Sequence, residues 1–249
     1  MQPEKTPEQI KNIRIAGKIL AEIFIELRKK VSPGVNELEI NKWVEDEIVK
    51  RGAVVTYKSS DVNFPGAICI SVNDAIVHGI PKDYKFERGD VVGFDLDVTY
   101  KGMTVDGAFT MIVGEEPTGA KKHLLNTTER AMWAGIDVAG PVKVGDISAT
   151  IQKELEKGKL GIVRELVGHG VGDKPHMKPD VPNYGTKGTG ELLSVGDTIS
   201  IEPMATLGGD AIKLDDDGWT YRTKDGSLAA HFEHTVLITE NGCEVLTQL

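Results

Sequence analysis

Four carboxylates lie inside or at the end of apolar stretches of the sequence, where an unpaired charge is costly to bury. Asp95 lies in VVGFDLDV, Asp106 in MTVDGAF, Glu202 at the end of TISIE, and Glu233 in LAAHFEHTVLIT. Aspartate is also depleted in β-strands, and two facing carboxylates repel each other unless a cation lies between them. These positions therefore suggest a metal site.

Asp106 follows Asp95 by eleven residues, with Lys101-Gly102 between them. Lys101-Gly102 predicts the turn of a β-hairpin, so we expect the two aspartates to pair across adjacent strands within reach of one ion. Alternation places Asp97 on the same face as Asp95. Either residue alone would be interpreted as an acid in a turn or at a sheet edge. Alternation does not decide which of the two is the metal ligand.

The segment GHGVGDKPH places His169 and His176 in a glycine-rich run. It lacks both the G-x-G-x-x-G pattern and the Lys-Ser/Thr pair of a phosphate-binding loop. Tight turns between the glycines are expected. His169 follows IVRELVG, which predicts a strand, and an imidazole at a strand end can bind a metal.

One imidazole and four carboxylates form a hard, oxygen-rich ligand set for divalent ions such as Mn, Fe, Co or Zn. The four negative charges balance two such ions. Two ions about 3.5–4 Å apart can share a water and stabilise a tetrahedral intermediate.

Four helices should support these strands. The first helix is predicted to have Thr6 as its N-cap, Pro7 at N1 and Gln9 completing a capping box. The second is predicted to start at Asn36, with Glu39 three residues on. The predicted helices are 7–30, 37–51 with an apolar face that includes Leu38, 120–138 and 147–157.

The strand-like segments are short and are separated by turn signals. The predicted strands are 54–57, 67–72, 75–78, 91–100, 103–113, 162–167, 198–202, 219–223, 229–239 and 244–246.

A weak internal repeat relates the two halves of the chain. ERGDVVGFD and SVGDTISIE each run from Gly-Asp through alternating apolar residues to an acid. Pseudo-symmetry between the halves would bring Asp95 and Glu202 to equivalent places around one site. No linker-like segment is visible, so we expect one domain over residues 1–249.

Composition narrows the possible partners. The 249 residues carry a net charge of −9, which argues against nucleic acid as the substrate. The basic stretch Arg28, Lys29 and Lys30 could still support transient ribosome association. No apolar run reaches membrane-spanning length, and Cys69 and Cys243 are too few for a disulfide framework. We expect a cytoplasmic monomer.

The chain resembles the type I methionine aminopeptidases of the pita-bread metallopeptidase family from about residue 6 to its C-terminus. The matching residues are His78 in VHGIP, Asp95, Asp106, His169, His176, Glu202 in IEPM and Glu233 in FEHTV. The resemblance implies an α+β pita-bread (creatinase/aminopeptidase) fold with a pseudo-two-fold antiparallel sheet and two helix pairs outside. It also selects Asp95 rather than Asp97 as the ligand.

The resemblance further implies a role for each residue. Asp95, Asp106 and Glu233 would hold one metal, and Asp106 and Glu233 would bridge to a second held by His169 and Glu202. Glu202 would also accept a proton, His176 would contact the substrate carbonyl, and His78 the scissile amide nitrogen. The ligand set accepts Co, Fe, Mn, Zn or Ni. The substrates would be nascent-chain or peptide N-termini whose methionine precedes a small residue.

Phe64, Cys69 and Trp219 would line the methionine pocket. The chain departs from the family here, with Pro175 before the second histidine and Asp61-Val62-Asn63 where relatives carry more aromatic residues.

Three other histidines receive no role as ligands. His123 is expected on the surface. His234 is expected to have a structural role and to point away from the metals. His231 is expected to face the same way as Glu233, where it could support the ligands.

Two alternatives remain. One is an aminopeptidase of the same fold with another N-terminal preference, and the other is a non-catalytic pita-bread binding module.

Overall fold

The computed structural model describes residues 2–60 and 62–249 of the chain. Its helices are α1 Pro7–Lys30, α2 Glu37–Lys50, α3 Gly119–Asp137 and α4 Val144–Lys157. Its strands are β1 Val54–Val55, β2 Cys69–Val72, β3 Ala75–Val77, β4 Val91–Tyr100, β5 Met103–Ile112, β6 Gly161–Ile162, β7 Gly168–Gly170, β8 Met177–Val181, β9 Thr198–Ile201, β10 Met204–Thr206, β11 Ile212–Leu214, β12 Tyr221–Thr223, β13 Ala229–His231, β14 Glu233–Thr239 and β15 Gly242–Val245.

The first two helices begin with the N-caps that the sequence predicts. The side chain of Thr6 accepts a hydrogen bond from the backbone N–H of Gln9, and the Gln9 side chain accepts one from Thr6, which completes the capping box. Asn36 caps α2 by accepting from the N–H of Leu38. Leu38 itself is 46% exposed, so its predicted place on the apolar face is wrong. Ile40, Val44 and Ile48 form that face.

A nine-stranded antiparallel sheet carries the functional side chains. Its order is β1-β4-β5-β14-β9-β7-β8, with β2 joined to β4 and β15 joined to β14. Strands β5 and β14 lie at the centre, with β4 and β9 on either side. The strand that carries Asp95 and the strand that leads into Glu202 therefore occupy corresponding places in the two halves.

The helices pack as two pairs, α1 with α2 and α3 with α4. The largest cluster of buried apolar side chains joins all four helices to the sheet, with Leu20 from α1, Ile48 from α2, Leu124 from α3 and Ile151 from α4. Burial of these faces is the main source of stability. No helix in the described ranges is long and apolar enough to cross a bilayer.

Several predicted strands are wrong in extent. Residues 56–58 form a 3-10 turn rather than continuing β1, and the predicted strand 162–167 is replaced by the short β6 and β7. The predicted strand 229–239 is interrupted at Phe232. The pattern also missed β8, β10 and β11, which are five residues or shorter. Apolar alternation cannot locate such short segments, because their pairing partners are distant in sequence.

Candidate metal centre

The candidate site is a cavity of about 300 Å³ on one face of the sheet. One end is acidic and the other is apolar and aromatic. The lining residues are Tyr57, Val62, Phe64, Cys69, Val77, His78, Asp95, Asp106, Glu165, Leu166, Val167, His169, His176, Glu202, Met204, Trp219 and Glu233.

Strand register brings the four carboxylates together. Ala108 of β5 lies opposite Asp95 on one side and opposite Glu233 on the other. Glu202 follows Ile201, which pairs with His234 on the far side of β14. Residues opposite each other in antiparallel strands share a face. Asp95, Glu233 and Glu202 therefore lie along one row of the sheet, and the small Ala108 side chain leaves the space between the first two open.

The predicted direct pairing of Asp95 with Asp106 is wrong. The hairpin turns at Tyr100–Met103, which pairs Asp106 with Asp97 and places Asp95 opposite Ala108. Asp95 and Asp106 are therefore diagonal neighbours on the shared face, still within reach of one ion.

Asp97 differs from Asp95 in its surroundings. Asp95 and Asp106 line the cavity, whereas Asp97 is fully buried and does not contribute to the lining. Neither Asp97 carboxylate oxygen has a hydrogen-bond partner among the described residues. Burial raises the pKa of Asp97, because the charged form loses its hydration.

The sequence predicted that His169 follows a strand, but the residue lies within β7. The flanking glycines permit close strand packing instead of tight turns. A Cβ on Gly168 would lie 2.4 Å from the Ser200 carbonyl oxygen, and one on Gly170 would lie 2.4 Å from that of Lys178. The His169 ring accordingly reaches the acidic row, with Nε2 3.4 Å from Oε1 of Glu202 and 3.8 Å from Oδ2 of Asp106.

The acidic end of the cavity fits a divalent cation. Asp106, His169 and Glu233 offer ligand atoms within 4.8 Å of one another, and Glu202, His231 and Glu233 form a second such group. Oδ1 of Asp106 and Oε1 of Glu233 are buried without a hydrogen-bond partner in the described chain. No lysine or arginine appears among the lining residues described above. A metal ion would supply the missing positive charge.

Burial and crowding of like charges also shift the pKa values of these side chains. Burial raises the pKa values of Asp95, Asp106, Glu202 and Glu233, and the neighbouring carboxylates add to the effect for Asp95, Asp106 and Glu233. Burial also lowers the pKa of His169 to about 3, which leaves a neutral imidazole of the kind that binds metals.

His78 and His176 also line the cavity. The His176 side chain is exposed, and its ring centroid lies 4.3 Å from that of His169. His78 has a positive φ of 56°, which is uncommon for a residue other than glycine. Its ring packs edge-on against Tyr221. Both imidazoles can hydrogen-bond a molecule held at the carboxylates.

The apolar end is built from Phe64, Cys69, Trp219 and Tyr57. The Phe64 ring stacks edge-on against Tyr57 at 5.4 Å and against Trp219 at 5.3 Å. Of the positions where the sequence departs from the family, Val62 lines the cavity, Pro175 is buried outside its lining, and Asp61 falls outside the described residues.

Two further residues lie near the carboxylates, and only His231 was expected there from sequence. The Tyr57 hydroxyl donates a hydrogen bond to Oδ1 of Asp95. His231 Nε2 lies 3.4 Å from Oε2 of Glu202 and 3.7 Å from Oε2 of Glu233. Strand alternation had placed His231 on the face of Glu233, where it could support the ligands, and the structure brings it there. No local pattern pointed to Tyr57, because it reaches Asp95 only through the pairing of β1 with the distant strand β4.

His123 and His234 behave as expected. His123 is exposed on α3 and bonds only the Gly158 carbonyl among its described partners. His234 contacts Thr247 and Trp133 and does not line the cavity.

The sequence matches the model of metallopeptidase family M24 over residues 11–240. A methionine aminopeptidase from Clostridium perfringens is 41% identical over 244 residues, covering 98% of this chain and 97% of that protein. The crystal structure of a methionine aminopeptidase from Thermotoga maritima matches with a TM-score of 0.96 at 39% identity, with both chains fully covered.

A more distant likeness concerns the fold alone. Prolidase from Pyrococcus furiosus matches with a TM-score of 0.77 at 24% identity, covering 99% of this chain and 65% of that one. Together with the closer match, this likeness confirms the α+β pita-bread fold expected from the sequence.

Proposed function

The chain belongs to metallopeptidase family M24, and from that premise we propose that it removes the N-terminal methionine from peptides and nascent proteins whose second residue is small. The observation that carries this function is the cluster of buried carboxylates and imidazoles at one end of a cavity whose other end is apolar. The acidic end suits metal-dependent hydrolysis, and the apolar end suits an unbranched thioether side chain.

We propose two divalent ions at the acidic end. Asp95, Asp106 and Glu233 would hold one, and Asp106 and Glu233 would bridge to the second, held by His169 and Glu202. The bound ions would polarise the scissile carbonyl and lower the pKa of a water molecule. The oxygen and nitrogen ligands admit Co, Fe, Mn, Zn or Ni.

The remaining chemistry belongs to side chains of this chain. Glu202 accepts the proton of the attacking water, since its carboxylate lies at the edge of the acidic row beside His169. A ring N–H of His176 donates to the substrate carbonyl oxygen as negative charge develops there. His78, which also lines the cavity, contacts the scissile amide nitrogen.

Phe64, Cys69 and Trp219 hold the methionine side chain, with Tyr57 and Val62 completing the wall. Burial of a methionine side chain in such a wall stabilises binding by about 1.5–3 kcal/mol. Aromatic rings also make favourable contacts with a thioether sulfur. This wall supports selectivity for methionine even though the chain lacks some aromatic residues expected from the family.

We propose that this enzyme acts in the cytoplasm, where nascent proteins are made, and that it is a monomer. Transient ribosome association through Arg28, Lys29 and Lys30 remains a prediction from sequence. Two of the three also contact aromatic rings, with the Arg28 guanidinium over Phe109 and the Lys30 ammonium over Trp43.

The decisive experiment measures cleavage of Met-Ala-Ser by metal-loaded protein, with chelator-treated protein as the control. We expect turnover that is lost on chelation and is reduced at least about 100-fold in Glu202→Gln. A panel of Xaa-Ala-Ser peptides should show the highest kcat/KM for methionine. Higher kcat/KM for another residue would point to a different N-terminal preference. Absence of both turnover and bound metal would indicate a binding module, for which no observation here speaks.

A further inference from the structure

His231 lies inside the metal centre, yet the family-derived ligand set gives it no role. It ends β13, and its side chain is 3% exposed. Nε2 is buried and has no hydrogen-bond partner among the described residues. A buried polar nitrogen without a partner is costly unless something binds it.

The surroundings of this nitrogen are those of a metal ligand. It lies 3.4 Å from Oε2 of Glu202 and 3.7 Å from Oε2 of Glu233. Nitrogen and oxygen ligands of one ion each lie about 2.0–2.2 Å from it, so neighbouring ligand atoms are about 3–3.7 Å apart. A direct N–H···O hydrogen bond would be shorter, at about 2.7–3.2 Å. The spacing therefore fits ligands around an ion better than a hydrogen bond between two side chains.

Glu202 connects this nitrogen to the rest of the centre. Its Oε1 faces Nε2 of His169 at 3.4 Å, and its Oε2 faces Nε2 of His231 at the same distance. The two carboxylate oxygens thus have matching imidazole neighbours. Glu233 belongs to both groups of candidate ligand atoms, one containing His169 and the other containing His231.

We propose that Nε2 of His231 binds a divalent ion directly, together with Glu202 and Glu233, so that the metal centre contains two imidazole ligands. The proposal rests on the metal-dependent function proposed above and adds a ligand to that site. Imidazole favours Zn, Fe and Ni, whereas carboxylates alone favour Mn and Mg. The second imidazole would shift the preference of this centre accordingly.

Proton NMR of the protein loaded with two equivalents of Co(II) tests the proposal. A histidine bound through Nε2 gives one strongly shifted, solvent-exchangeable ring N–H signal. We expect two such signals from the wild-type protein and one from His231→Gln. We also expect His231→Gln to weaken one of the Co(II) binding steps at least tenfold in titration calorimetry.

Apart from His169, two histidines line the cavity, and they supply matched controls. His78→Asn and His176→Asn should each retain both signals, and they identify His231 by elimination if His231→Gln does not fold. A single signal in the wild type, or two in His231→Gln, would overturn the proposal. Cleavage of Met-Ala-Ser by a wild type with one signal would leave the proposed function standing, whereas failure to bind Co(II) would contradict both.

Discussion

The Tyr57 hydroxyl donates a hydrogen bond to Oδ1 of Asp95, so an aromatic residue of the apolar wall also orients a carboxylate of the acidic end. Tyr57 follows β1, whose residues pair with β4, the strand that carries Asp95. Groups that hydrogen-bond to metal ligands fix the orientation of those ligands. This contact therefore couples the two ends of the cavity.

Tyr57→Phe should weaken metal binding by about 10–100-fold, because Asp95 loses the donor that orients it. The ring and its contact with Phe64 remain, so the substitution isolates the hydroxyl. Titration calorimetry with Mn(II) measures the effect. Tyr84→Phe is the matched control, since Tyr84 donates to Asp90 outside the cavity. Equal affinities in the two variants would contradict the coupling.

His176→Asn should lower kcat for Met-Ala-Ser by about 10²–10³-fold and leave KM nearly unchanged. The reason is that the lost hydrogen bond strengthens only as charge develops on the carbonyl oxygen. Steady-state kinetics separates the two constants. His123→Asn, a substitution of an exposed histidine on α3, should match the wild type. An effect confined to KM would instead assign His176 to substrate binding alone.

Gly168→Ala should destabilise the protein by about 1–3 kcal/mol, because a Cβ there overpacks the sheet. That atom would lie 2.4 Å from the Ser200 carbonyl oxygen, beside the His169 backbone. Gly93→Ala is the control, since its nearest contact would be an ordinary 3.6 Å to Oγ1 of Thr110. Thermal unfolding compares the two variants, and equal melting temperatures would show that β7 can move away from β9.

A pH effect on stability should arise from Glu37, which lies outside the metal centre. The residue is fully buried at the start of α2, and burial raises the pKa of its carboxyl from 4.5 to about 7. The folded-state pKa lies above the unfolded value. The contribution of Glu37 to the free energy of unfolding is therefore complete below pH 4.5 and is lost as the pH rises through 7. The loss amounts to roughly 3 kcal/mol.

Glu37→Gln should remove this dependence, so the variant should gain stability relative to the wild type between pH 5 and pH 8. Urea unfolding at the two pH values measures the difference. Glu39→Gln, at an exposed position in the same helix, serves as the control. A Glu37→Gln variant whose stability tracks that of the wild type across the range would rule out a buried proton on Glu37.

The sequence by itself determined the features that depend on near neighbours. Thr6 and Gln9 are three residues apart and cap α1 without help from the rest of the chain. The carboxylates in apolar segments identified the metal-binding face, because a buried charge needs a partner wherever the chain folds. That pattern placed Asp106, Glu202 and Glu233 at one site with either Asp95 or Asp97, and the resemblance to the family selected Asp95.

Only the tertiary structure decided which residues meet within that site. The register of one hairpin placed Asp97, rather than Asp95, opposite Asp106, because a shift of two residues preserves the face and changes the partner. The path of the chain after β1 brought Tyr57 to Asp95, and the break at Phe232 left His231 beside Glu202 and Glu233. The contacts of Tyr57 with Asp95 and of His231 with Glu202 join residues far apart in sequence, so no local pattern could specify them.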